Sequence, residues 1–162
     1  MHSRLKITAV LAVAIIGVWA ASASSSWSHP DAGSSRTLTL VGKSTGEAML
    51  DHGTAGPTVG DEFVTAQRLL RRGRPVGRAG GSCQIVAPAR GVNRFTFNCT
   101  LTLRLPTGQI VFHGLATFGE QGPQGMRMAI TGGTGSYRQA RGQTTVEERA
   151  GGEIHYRLSI RN

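Results

Sequence analysis

Apolar and polar residues alternate with a period of two along much of the chain. The clearest run is Arg94 to Leu105. Phe95, Phe97, Cys99, Leu101, Leu103 and Leu105 take one parity there, and Thr96, Asn98, Thr100, Thr102 and Arg104 the other. Such alternation marks a strand with one buried and one wetted face. The C-terminal segment repeats it, with Ile154, Tyr156, Leu158 and Ile160 set against Glu153, His155, Arg157, Ser159 and Arg161. Weaker runs predict strands over Thr37 to Val41, Glu62 to Leu70, Ser82 to Val86, Gln109 to Phe118, Met126 to Ile130 and Thr144 to Glu148. No helix-length window carries the i, i+3, i+4, i+7 apolar pattern. Turn-forming residues punctuate the runs at Arg72-Gly73-Arg74-Pro75, Pro88 to Asn93, Pro106-Thr107-Gly108, Gly119 to Gly125 and Ala150-Gly151-Gly152. This pattern predicts an all-β sandwich or up-and-down barrel. We expect a small closed antiparallel β-barrel of about eight strands, because closure removes exposed edges and leaves an interior that is filled or holds one small ligand.

The N-terminal residues stand apart from this texture. Arg4 and Lys6 precede an apolar or small-residue run from Ile7 to Ala21, and Ala21-Ser22-Ala23 supplies the small residues of a cleavage site. This is the pattern of a secretory signal peptide over residues 1–23, cut after Ala23. The alternative is an uncleaved anchor, but Ser22 to Ser26 turns polar before the ~20 apolar residues of a spanning helix are reached. Residues 24–35 are Ser-rich with Pro30 and Gly33, and read as a disordered tether. Residues 36–162 form the single barrel domain. The chain carries 18 basic and 9 acidic residues. Nearly all the base is arginine, which with 23 glycines fits a high-GC bacterial source.

Export changes the reading of the cysteines. Cys83 and Cys99 are an even pair in an oxidising compartment, so a disulfide is the default. A hairpin centred near Gly91 would set them opposite each other, Cys99 on the buried parity. Two buried free thiols are the alternative. His52, His113 and His155 are too scattered to make a metal site with them, and no metal or other cofactor is implied.

Two segments carry more than generic β character. One runs Val59-Gly60-Asp61-Glu62-Phe63 through Arg68-Leu69, then Arg72-Gly73-Arg74-Pro75-Val76-Gly77-Arg78, then Gly80-Gly81-Ser82-Cys83. The other is Met128-Ala129-Ile130-Thr131-Gly132-Gly133-Thr134-Gly135-Ser136-Tyr137-Arg138-Gln139-Ala140-Arg141-Gly142. Glycines here permit positive φ, so a strand can end sharply, Tyr137 and Ala140 can plug the barrel end, and Gly142 can restart a strand. No Gly-Lys-Ser/Thr follows, so a phosphate-loop reading is poorly supported. Together the segments resemble the allene oxide cyclase barrel-like family of bacterial exported proteins, relatives of plant allene oxide cyclases and dirigent proteins. The resemblance implies an eight-stranded barrel, trimeric in plant members, around a cavity for a small hydrophobic or phenolic molecule. It also implies, if the protein is an enzyme, an isomerase- or cyclase-like activity by substrate confinement. A non-catalytic extracellular or cell-envelope binding protein is the competing reading.

Confinement needs few polar groups, so candidate chemistry is sparse. Asp61 and Glu62 are the acids of the first motif, able to polarise a substrate, or else a solvated pair at a strand start. Arg138 and Arg141 can hold an anionic head group, or else cap turns and pair with Glu147 or Glu148. His113 shares the parity of Val111 and Leu115 and reads as packed or interfacial. Arg68, Arg71, Arg72, Arg74 and Arg78 form the densest charge cluster, suited to an anionic envelope polymer or to a solvated turn. Nucleic acid is disfavoured, because export removes it and no stacking aromatics accompany the arginines.

Overall fold

The computed structural model describes residues 35–88, 94–119, 122–123 and 125–161. The signal peptide and residues 24–34 of the tether lie outside them. β1 (Ser35–Leu50), β2 (Glu62–Arg71), β3 (Arg74–Pro88), β4 (Phe95–Leu105), β5 (Gly108–Gly119), β7 (Met126–Gly133), β8 (Arg141–Arg149) and β9 (Glu153–Arg161) form one antiparallel ring. A two-residue β6 (Gly122–Pro123) pairs only with the end of β5. The first and last strands close the ring, from Ser35 opposite Arg161 to Gly42 opposite Ile154. The fold is thus a closed eight-stranded barrel, with almost no helix among the described residues.

Alternation decides what points inward. Phe97, Cys99, Leu101 and Leu103 of β4 and Tyr156, Leu158 and Ile160 of β9 are all buried, as their parity predicts. Cys83 and Cys99 stand directly opposite across β3 and β4 and form a disulfide with a Cα separation of 4.0 Å. The strands are longer than their patterns suggest. β1 runs nine residues past Val41, through a register shift between Ser44 and Gly46 that interrupts the alternation. β3 begins at Arg74 rather than Ser82, so the β2–β3 turn is only Arg72-Gly73.

The two ends of the barrel differ. β1, β3, β5 and β8 run towards one end, and the Gly132 to Gly142 segment seals the other. After β7 the chain makes a 3-10 turn over Gly135–Tyr137 that buries Tyr137 and Ala140 under the strands. Backbone hydrogen bonds pin this plug: Thr134 N–H donates to Gln109 O (2.9 Å) and Ser136 N–H to Thr107 O (2.9 Å). Gly135 has φ 58°, and a Cβ there would meet the Thr107 carbonyl. Both facts require glycine. Leu40, Leu69, Leu103, Ile110, Phe112, Leu158 and Ile160 are fully buried in the half above the plug.

The acids, though not the bases, are sorted along the same axis, since Lys43, Arg94, Arg127 and Arg149 also stand in the open half. Every described Asp and Glu lies in the open half: Glu47, Asp51, Asp61, Glu62, Glu147, Glu148 and Glu153. Arg36, Arg71, Arg72, Arg74, Arg78, Arg104, Arg138, Arg141 and Arg161 lie towards the sealed end.

Candidate functional site

The open half of the barrel is not filled. It encloses a cavity of about 870 Å³, within the size range of small-molecule sites. Its wall is aromatic and aliphatic, with Phe63 on β2, Ile85 on β3, Phe95, Phe97 and Leu101 on β4, Phe118 on β5, Met126 on β7 and Val146 on β8. Phe97 and Phe118 stack with centroids 4.5 Å apart. Of the apolar side chains expected to fill the interior, Leu103 and Leu158 are fully buried and lie outside the cavity lining. Phe95, Phe97, Leu101 and Ile154 instead line open space.

One polar pair sits at the base of this cavity. Tyr156 Oη donates to Gln67 Oε1 at 2.7 Å, both residues being buried. Burial drives the Tyr156 phenol well above the ordinary tyrosine range, and the Gln67 hydrogen bond opposes this only in part. The phenol therefore stays protonated and acts as a donor. The Gln67 amide nitrogen makes only a long bond, 3.3 Å, to Thr65 Oγ1, which also lines the cavity. Gly42 makes room for the pair, since a Cβ there would meet the Gln67 amide and the Tyr156 ring. The rim carries Glu47, Glu148 and Glu153 against one cation, Lys43. Glu153 is held ionised, its pKa lowered first by the hydrogen bond from Lys43 (3.0 Å) and then by the charge of that ammonium.

The expected site residues fall elsewhere. Asp61 is buried, but its carboxylate is occupied by the β1–β2 loop. Oδ1 accepts from His52 N–H (2.9 Å) and Oδ2 from Thr58 N–H (2.7 Å). These backbone bonds, His52 first, lower its pKa below the ordinary 3.8, so at neutral pH it is an acceptor and not a proton donor. Pro57 of that loop borders the mouth. Glu62 begins β2 on the outward parity. Arg138 and Arg141 are exposed at the sealed end, where Arg141 Nη1 donates to the Ala140 carbonyl (2.9 Å). They meet neither Asp61 and Glu62 nor the cavity. Arg68, Arg71, Arg72, Arg74 and Arg78 are exposed on and below the β2–β3 hairpin. His113 is exposed on the outer wall. Among the described residues no cluster of three His, Cys, Asp or Glu side chains is placed to hold a metal ion.

The geometry at Asp61 makes a pH-dependent prediction. A carboxylate whose folded pKa is depressed stabilises the fold above its unfolded pKa, and this is lost as pH falls through the folded value. Wild type should lose melting temperature steeply below about pH 4. Asp61→Asn should melt several degrees lower than wild type at pH 7, with the gap closing towards pH 2. Thermal melts from pH 2 to 7 measure this, and a constant gap across the range would contradict it.

The residues that sequence reading missed are Gln67, as a polar side chain on the inward parity between Phe63 and Leu69, and its partner Tyr156. The odd polar residue on a buried face was the available signal.

Residues 37–156 match the family described as "Allene oxide cyclase barrel like domain". Among solved structures, one titled "Pyocyanin demethylase" is 32% identical, spans 77% of this chain and 99% of its own, and has a TM-score of 0.66. An exo-specific intermolecular Diels-Alderase is 19% identical over 80% of this chain and 100% of its own, at TM-score 0.61. A pterocarpan synthase dirigent protein is 14% identical over 79% of this chain and 84% of its own, at TM-score 0.59. The last two share the fold. No curated protein matches the chain.

Proposed function

The chain belongs to the allene oxide cyclase barrel-like family, and from that premise we propose that it is an exported barrel which takes a planar aromatic molecule into its cavity and steers the reaction of that molecule by confinement. The observation that carries this is the cavity itself, of about 870 Å³, walled by Phe63, Phe95, Phe97 and Phe118 over a single buried polar pair. Flat rings stack on such walls, and a few fixed hydrogen-bonding groups set orientation. The acidic rim favours a neutral or cationic molecule over an anionic one. Pyocyanin, named for the 32%-identical relative, is a flat tricyclic phenazine with one N-methyl group and is the first ligand to test. Export is supported by the signal pattern and by the disulfide.

The test is titration of the mature protein with pyocyanin, a flavonoid and a simple phenol, followed by chromatography for demethylated, cyclised or coupled products. Saturable binding at one ligand per barrel with a new product supports steering. Saturable binding with no product supports the competing reading, an extracellular binding module. No binding of any planar aromatic would sink both.

Self-association is part of the proposal. Two cross-strand rows without Asp, Glu, Lys or Arg lie on the outer wall of β1 to β5, Ala48–Val64–Ser82–Thr100–His113 and Ala66–Gly80–Thr102–Val111. They leave a face free of charge repulsion, suited to the trimer that the family resemblance implies. Native mass spectrometry reads the subunit number.

A further inference from the structure

The cavity uses the open half of the barrel, and the opposite half carries a feature the cavity does not need. Arg68 on β2, Arg78 on β3 and Arg104 on β4 stand directly opposite one another across three strands. All three are exposed. Residues so paired share a face with Cβ atoms about 5 Å apart, and like charges in that position destabilise a sheet. Arg71 and Arg74 repeat the opposition at the end of the same hairpin. Between them Arg72 takes φ 51°, the one positive value among the described non-glycine residues, in a region that glycine or asparagine usually occupies. No ion pair among the described residues includes any of these arginines. The described acids all lie in the other half. Lys43, opposite Arg68 on β1, continues the row and is paired with Glu153, whereas the three arginines make no ion pair among the described residues and stand open to an external anion.

We infer that the row Arg68–Arg78–Arg104, extended by the Arg71–Arg74 hairpin end, is a binding site for a linear acidic polysaccharide laid across β2 to β4. Adjacent strands are spaced about 4.8 Å apart, so the row presents guanidinium groups at closely repeated intervals in one line. A chain with regularly spaced sulfate or carboxylate groups can engage them in series. Arginine's planar fork matches those groups with paired hydrogen bonds, as a lysine would not. A bilayer is the weaker fit. Interfacial binding uses apolar side chains that insert, and the exposed large apolar residues among those described, Met49, Leu50, Val59, Val86 and Leu115, lie towards the mouth. None of these arginines lines the cavity. A chain bound there leaves the mouth open.

The experiment uses heparin as the probe and measures affinity at several salt concentrations. Combined Arg68→Gln, Arg78→Gln and Arg104→Gln should weaken binding at least tenfold at low salt. It should also reduce the slope of log affinity against log salt by about one per arginine. It should melt no lower than wild type, because a repulsive row has been removed. The single Arg78→Gln variant, at the centre of the row, should give a smaller loss in the same direction. Combined Arg127→Gln, Arg149→Gln and Arg157→Gln removes the same charge elsewhere and should leave affinity within about twofold. Equal loss in both triple variants would reduce the effect to net charge and overturn the site. Binding to phosphatidylglycerol vesicles with none to heparin would assign the surface to membrane. Duplex DNA binding as tightly as heparin, with the same response to the variants, would mark it as a general polycation. Thr65→Trp, which puts an indole into the cavity, should not change heparin binding, so failure of the cavity proposal stays distinguishable from failure of this one.

Discussion

Thr65→Trp is expected to weaken binding of a planar aromatic ligand by about 100-fold, roughly 2.7 kcal/mol, while melting stays within a few degrees of wild type. Thr65 is on the inward parity of β2 and lines the cavity between Phe63 and Gln67. Its direct cross-strand neighbour on β3 is Gly81, which has no side chain to obstruct a larger ring. The indole would therefore enter space that is already empty and not a packed core, where an oversized side chain typically costs 1–3 kcal/mol. It would also sit against the phenylalanine wall and occupy the surface on which a ligand ring stacks. Binding measured by titration, beside a thermal melt, separates the two effects. Affinity within threefold of wild type in a folded Thr65→Trp protein would mean that the ligand binds outside the barrel.

The second large effect concerns stability. Cys99→Ser is expected to lower the melting temperature by roughly 10 °C. The bridge closes a loop spanning a sequence separation of 16 residues, worth about 3 kcal/mol in the chain-entropy picture. Both cysteines are buried, Cys99 completely. The substitution also leaves a hydroxyl and a thiol facing each other in an apolar wall. Because Cys83 lines the cavity, the same variant should loosen ligand binding, whereas Asp61→Asn acts at the mouth loop. An unchanged melt would show that the bridge does not contribute to the stability of the β3–β4 pair.

Alternation made the architecture readable where one face of a strand is buried and the other wet, as in β4 and β9. It failed where that condition fails. The second half of β1 follows a bulge and is exposed throughout, so nothing in Lys43 to Leu50 alternates. β3 is longer than its pattern predicts because Gly77, Gly80 and Gly81 carry no apolar signal. Yet a Cβ at Gly81 would meet the Thr100 carbonyl, so close strand approach is what selects glycine there. The Gly132 to Gly142 plug was legible because positive φ leaves a residue signature. The site was less so. Gln67 and Tyr156 are 89 residues apart, and only closure of the ring brings them together. Likewise, the sequence clusters Arg68 with Arg72, but the pairing of Arg78 with both Arg68 and Arg104 belongs to strand register.

Closure by β1 and β9 has one more consequence. Ser35 and Arg161 are directly opposed at the sealed end, so the polypeptide on either side of the barrel leaves from its base. A protein fixed to a bead, a sensor chip or a cell wall through either flank would face its opening towards the surrounding liquid. Immobilised forms should therefore handle a dissolved ligand as freely as the protein in solution, and no spacer design is needed to keep the entrance clear.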